Sequence, residues 1–150
     1  MTTTQQPVML PDGMTEVAPA GRIEVSPVLG DTYRIQVRGH QMLVDQPVED
    51  GGTDAGVTPV ELFAASLASC VAFYAGRYLK RHGVSSEKLR VSADFSMAAD
   101  RPARVAGIRV RIVPPADLPD ERRAALLAVA SHCTVHNSLV RPPDVEVTLD

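Results

Sequence analysis

Residues 58–83 read TPVELFAASLASCVAFYAGRYLKRHG, and this stretch decides the fold. Phe63, Leu67, Cys70, Val71, Tyr74 and Tyr78 fall at i, i+4, i+7, i+8, i+11 and i+15, one stripe along an α-helix. Thr58, Pro59 and Glu61 supply an N-cap, a first-turn proline and the N3 acid of a capping box. Arg77, Lys80 and Arg81 complement the negative end of the helix dipole, and Gly83 is a C′ glycine. Together these signals predict a helix from about Pro59 to His82. The opposite face carries Ala65, Ser66, Ala68, Ser69, Ala72 and Gly76, all small enough to let other backbone approach closely, so a central helix buried on most faces is expected.

On the N-terminal side, the segment QPVEDGGTDAGV, residues 46–57, carries Gly, Pro and acids in the pattern of a surface loop. Before it, apolar and polar residues alternate over Arg22–Val28 and Thr32–Arg38, which is strand periodicity, and a third apolar run covers Met42–Val44. Gly39, placed as the first central residue of a type II′ turn, predicts a hairpin and hence a small antiparallel meander. On the C-terminal side, Leu89, Val91, Ala93, Phe95 and Met97 alternate with polar residues, as do Ile108, Val110 and Ile112, predicting two antiparallel strands. Pro119, Asp120 and Glu121 open a second helix through Leu126, Leu127 and Ala130 to Ser131-His132-Cys133, and Val145, Val147 and Leu149 predict a final strand. The order βββ, α, ββ, α, β with segregated helices is α+β rather than a doubly wound parallel sheet. Residues 1–20, polar and with Pro7, Pro11 and Pro19, read as a flexible arm before a single domain over 21–150.

The chain has 150 residues, 45% hydrophobic and 22% charged, enough to bury roughly 70% of its unfolded surface without a metal or disulfide staple. Three Phe, three Tyr, no Trp and a net charge of −3 offer neither stacking platforms nor a basic footprint, so nucleic acid is excluded as a partner. The first sixteen residues lack a basic n-region and a long apolar run, and the sequence has no stretch of about 18 consecutive apolar residues, so the cytoplasm is the expected location and no membrane partner is expected.

Two cysteines carry the candidate chemistry. Cys70 lies on the apolar stripe of the long helix, where a thiol can be a small buried hydrophobe. Cys133 follows the second helix and precedes TVHNSL, which can start a further short helix, and a thiol at a helix N-terminus is stabilised as thiolate. In a reducing cytosol such a pair is either inert or redox-active; if the sulfurs meet, one can attack a peroxide and the other resolve the sulfenic acid. Glu61 lies nine residues before Cys70, roughly 13 Å along the helix, out of hydrogen-bond reach and better read as a cap. His132, Cys133 and His136 form one short cluster without a partner cluster, so no metal site is assigned and no cofactor is implied. Arg34 and Arg38 share a polar strand face and either could pair with a thiolate; His40 reads as a turn residue.

These residues carry a resemblance. Arg38-Gly39-His40, Asp45, Pro47, Gly51-Gly52, Thr58-Pro59-Val60-Glu61-Leu62 through Ala68-Ser69-Cys70, and the run from His132 to Leu139 resemble the OsmC/Ohr family of osmotically inducible and organic hydroperoxide resistance proteins, over about residues 20–150. The resemblance implies an intertwined α+β homodimer with antiparallel sheets around a long central helix. It also implies thiol peroxidase chemistry, with Cys70 oxidised by an organic hydroperoxide, Cys133 closing a disulfide, and a dithiol or low-molecular-weight thiol as reductant. Arg38 is the candidate for stabilising the thiolate. One position departs from the pattern: peroxidase members usually carry Glu where this chain has Val60, and Glu61 resembles a less characterised branch. A non-enzymatic dimer that binds a small ligand or senses oxidants, or a structural domain with two inert thiols, are the rival readings.

Overall fold

The structure, a computed structural model, describes residues 8–9, 15–16 and 21–150. Those up to Pro59 form one compact unit and Val60–Asp150 form a second. In the first, strand β1 (Val8–Met9) pairs antiparallel with β2 (Thr15–Glu16); the remainder of the expected arm over 1–20 lies outside the described residues.

The expected meander is formed by β3 (Glu24–Leu29), β4 (Thr32–Val37) and β5 (His40–Val44), in that order and all antiparallel. Its register sets Val25 opposite Ile35 and Ile35 opposite Met42, so the apolar side chains share one face. The same register pairs Val37 with His40, which moves the hairpin turn one residue earlier than expected. Arg38, not Gly39, takes its first central position with φ +54°, and so leaves the polar strand face that it was expected to share with Arg34. Every residue of β3 is exposed, Val25 to 58%.

Asp45 closes this unit. Its carboxylate is buried and accepts hydrogen bonds from the backbone N–H groups of Gln46 (2.7 Å), Thr53 (3.2 Å) and Ala55 (3.0 Å) and from the Thr53 hydroxyl (2.7 Å). One side chain thus gathers the loop 46–57, and Gly52 is required because a Cβ there would overlap the Gln46 carbonyl. The bond from the Ala55 N–H, followed by that from the Thr53 hydroxyl, holds the Asp45 carboxyl far below the usual carboxylate range. Because the folded pKa is depressed, the stabilisation is complete above the unfolded value of about 3.9 and is lost as pH falls toward the lower folded one. Asp45→Asn should therefore lower urea stability at pH 7 and flatten the loss of stability in acid, with faster hydrogen exchange at the Thr53 and Ala55 amides. Unchanged exchange at both amides would refute this role.

In the second unit, α1 (Pro59–Arg81) follows the expected boundaries to within a residue. Gly83 at φ +71° ends it, with Val84 N–H donating to the Leu79 carbonyl (3.0 Å) and Gly83 N–H to that of Lys80 (3.2 Å). The buried stripe is Ala64, Leu67, Val71, Ala75, Tyr78 and Leu79. It is rotated from the expected one: Phe63 is 42% exposed, and Cys70 and Tyr74 lie half-buried at its rim. By length and hydropathy alone α1 would suffice to cross a membrane, but this stripe is the centre of the unit's core. Among the described residues the small-residue face, expected to be covered, is only partly so: Ser66, Ala68, Ala72 and Gly76 are half-buried, Ala65 and Ser69 are exposed, and Phe73 beside them is 57% exposed.

Against the stripe pack β6 (Arg90–Met97) and β7 (Val105–Val113), whose register aligns Val91 with Ile112 and Ala93 with Val110. A 3-10 turn over Asp120–Arg122 leads into α2 (Arg123–Ser131), which buries Leu126 and Ala130, and α3 (Thr134–Val140) follows. The last expected element is not formed. Val145, Val147 and Leu149 lie in an irregular segment and are 82%, 91% and 100% exposed. An alternating segment becomes a strand only where a sheet edge takes up its backbone hydrogen bonds, and among the described residues none does so.

Candidate functional site

Cys70 and Cys133 are both free thiols, and the fold brings them together. Cys70 is half-buried in the middle of α1, packed against the core that contains Cys133. Cys133 is completely buried. Local sequence explains its place: α2 ends at Ser131, the chain turns extended at Cys133 (φ −67°, ψ 158°), and the helix restarts at Thr134. The Cys133 sulfur caps α3 by accepting the His136 N–H at 3.4 Å.

Burial pushes the Cys133 thiol above its ordinary pKa, and interaction with the Cys70 thiol pushes the same way; the His136 and Val135 N–H groups oppose the shift and lose. The helix N-terminus was expected to favour a Cys133 thiolate. Desolvation outweighs it, so Cys133 is a protonated thiol at neutral pH. Two consequences follow from the sign. If Cys133 closes a disulfide, the closure rate should rise about tenfold per pH unit between about pH 6 and pH 8, as its thiolate fraction grows; rapid-quench thiol counting measures this, and a flat profile would contradict it. The stabilisation of the reduced protein by the buried thiol is complete below the unfolded value of about 8.5 and is lost as pH rises through the higher folded value.

Tyr74 and Thr134, absent from the sequence-based candidates, join their hydroxyls at 2.9 Å, tying α1 to the first turn of α3. No local pattern announces a bond across 60 residues. His132 turns its Nδ1–H to the Ala128 carbonyl (2.7 Å), and its ring centroid lies 6.5 Å from that of His136, whose Nδ1 is buried without a hydrogen-bond partner. Among the described residues, no three His, Cys, Asp or Glu side chains gather as metal ligands do. Glu61 is exposed in the first turn of α1. Arg38 stands exposed in the β4–β5 turn of the first unit, as Arg34 does in β4. Leu67 and Val71 of α1 line an apolar cavity of about 210 Å³ with Ile108 and Val110 of β7 and Leu127 and Ala130 of α2.

The family model for OsmC-like protein matches residues 51–148. No curated protein sequence matches the chain significantly. Among solved structures, an osmotic stress-induced and detoxification response protein from Psychrobacter arcticus is similar at TM-score 0.71 and 23% identity, over 81% of this chain and 91% of that one. An organic hydroperoxide resistance protein from Legionella pneumophila aligns at TM-score 0.61 and 19% identity, over 81% and 90%. The organic hydroperoxide resistance protein OhrB of Bacillus subtilis aligns at TM-score 0.56 and 19% identity, over 78% and 89%. At these identities the structural likeness establishes the α+β fold.

Proposed function

The chain belongs to the OsmC-like protein family, and from that premise we propose that it is a cytoplasmic thiol-dependent peroxide reductase acting on organic hydroperoxides. The observation that carries this reading is the pairing of a half-exposed thiol, Cys70, with a fully buried one, Cys133, in direct interaction. Cys70 is the sulfur an outside peroxide can reach. Its thiolate attacks the distal peroxide oxygen, the O–O bond breaks, and an alcohol leaves with a proton, giving a sulfenic acid. Cys133 then attacks the Cys70 sulfur, the S–O bond breaks, and water departs with the Cys133 proton. A dithiol or two small thiols take the disulfide back to the reduced pair. Arg38 is the proposed cation for the thiolate, and a homodimer is the proposed working form.

The apolar cavity lined by Leu67, nearly one turn before Cys70 on α1, and by Val71, the residue after it, suits the tail of an alkyl hydroperoxide. Three methylenes buried there contribute about 2 kcal/mol, around thirtyfold in binding. The test is thiol counting and stopped-flow oxidation with cumyl or tert-butyl hydroperoxide against hydrogen peroxide. Two thiols lost per chain and a faster reaction with the alkyl hydroperoxides are expected. No thiol loss would reject the peroxidase, and equal rates would reject the cavity as its substrate site.

A further inference from the structure

We propose that the Tyr74–Thr134 hydrogen bond is a positioning clasp that holds Cys133 in register with Cys70 and so raises the tendency of the pair to close a disulfide. This rests on the reading of Cys70 and Cys133 as a redox pair. Tyr74 lies one helical turn beyond Cys70 on α1, and Thr134 directly follows Cys133 at the start of α3, so the hydroxyl pair sits next to the thiol pair on both elements. The Tyr74 ring is steadied by packing against the core and by an edge contact to Phe73, with centroids 5.5 Å apart. The Thr134 carbonyl is tied back into α3 by the Ser138 hydroxyl at 2.8 Å. Two internally supported elements are therefore joined at 2.9 Å beside the sulfurs.

Disulfide geometry makes this register matter. A Cβ···Cβ separation of about 3.5–4.5 Å and a torsion near 90° are needed, so a shift of about 1 Å in the start of α3 is costly. To bond to Cys70, the Cys133 sulfur must turn from its capping contact with the His136 N–H. The first turn of α3 then loses one of its tethers, and the bond to Tyr74 keeps it against α1.

The decisive measurement needs no peroxide. In glutathione redox buffers, one oxidised glutathione and the Cys70–Cys133 dithiol exchange to two reduced glutathiones and the protein disulfide, and the equilibrium reports the effective concentration of the two thiols. Thr134→Val should lower it about three- to tenfold, the range of one hydrogen bond. Thr134→Ser, which keeps the hydroxyl, should stay within twofold of the parent. Adding Tyr74→Phe to Thr134→Val should cause little further loss, because both changes remove the same bond. A Thr134→Val protein within twofold of the parent, or losses that simply multiply in the double variant, would overturn the clasp. A protein that shows these effects yet consumes no hydroperoxide would keep the clasp and reject the peroxidase; normal peroxide consumption with an unaltered equilibrium in Thr134→Val would do the reverse.

Discussion

Replacing Cys70 with serine should abolish peroxide consumption, whereas Cys133→Ser should still consume about one hydroperoxide per chain and stop at a sulfenic acid. Without added thiol, the parent should lose two thiols per chain, Cys133→Ser one and Cys70→Ser none. The asymmetry follows from burial. Cys133 has no exposed surface and a thiol held protonated, so it cannot stand in for Cys70 as the attacking sulfur. Cys70 is only partly buried and needs no partner for the first step. A dimedone-type probe with mass analysis identifies the trapped sulfenic acid at Cys70 in Cys133→Ser. If both single variants turn over as the parent does, neither thiol is catalytic, and the buried-hydrophobe reading of each stands.

The second large effect concerns assembly. Among the described residues, three apolar surfaces stand open: the sheet face with Val25, Tyr33 and Met42, the α1 face around Phe73, and the alternating residues Val145, Val147 and Leu149. Each is a surface that soluble monomers rarely expose together, and a second copy of the chain is the occupant that the proposed homodimer supplies. The protein should therefore sediment as a dimer and unfold on dilution rather than release a stable monomer, as obligate interfaces behave. Burying the three C-terminal side chains is worth about 5 kcal/mol, so Val145→Asp with Val147→Asp should raise the dimer dissociation constant on the order of 10³-fold. A compact folded monomer at micromolar concentration in sedimentation runs would refute the obligate dimer.

Much of the fold was legible in the chain because its signals are local. The capping residues and Gly83 marked α1 to within a residue, the period-two alternation marked β4, β6 and β7, and TVHNSL announced α3. What depends on a distant partner was not legible. The stripe of α1 was misplaced by part of a turn because the choice between Phe63 and Ala64 is made by the elements packed against it, not by the helix. The C-terminal alternation is real, yet a strand needs a sheet edge, and sequence periodicity cannot say where that edge comes from.

The candidate site divides along the same line. By itself, the sequence offered Cys70 and Cys133 as the candidate chemical groups and placed one on a long helix and the other at a helix junction, because residue type and helix signals are properties of a short window. Tertiary structure alone decided that the two thiols meet across 63 positions, that Cys133 is the buried one, and that Tyr74 and Thr134 bond beside them. It also reversed the expected acidity of Cys133. A helix N-terminus is a local feature that favours the thiolate, but the loss of water around the sulfur is set by every element packed over it, and here that desolvation is the larger effect.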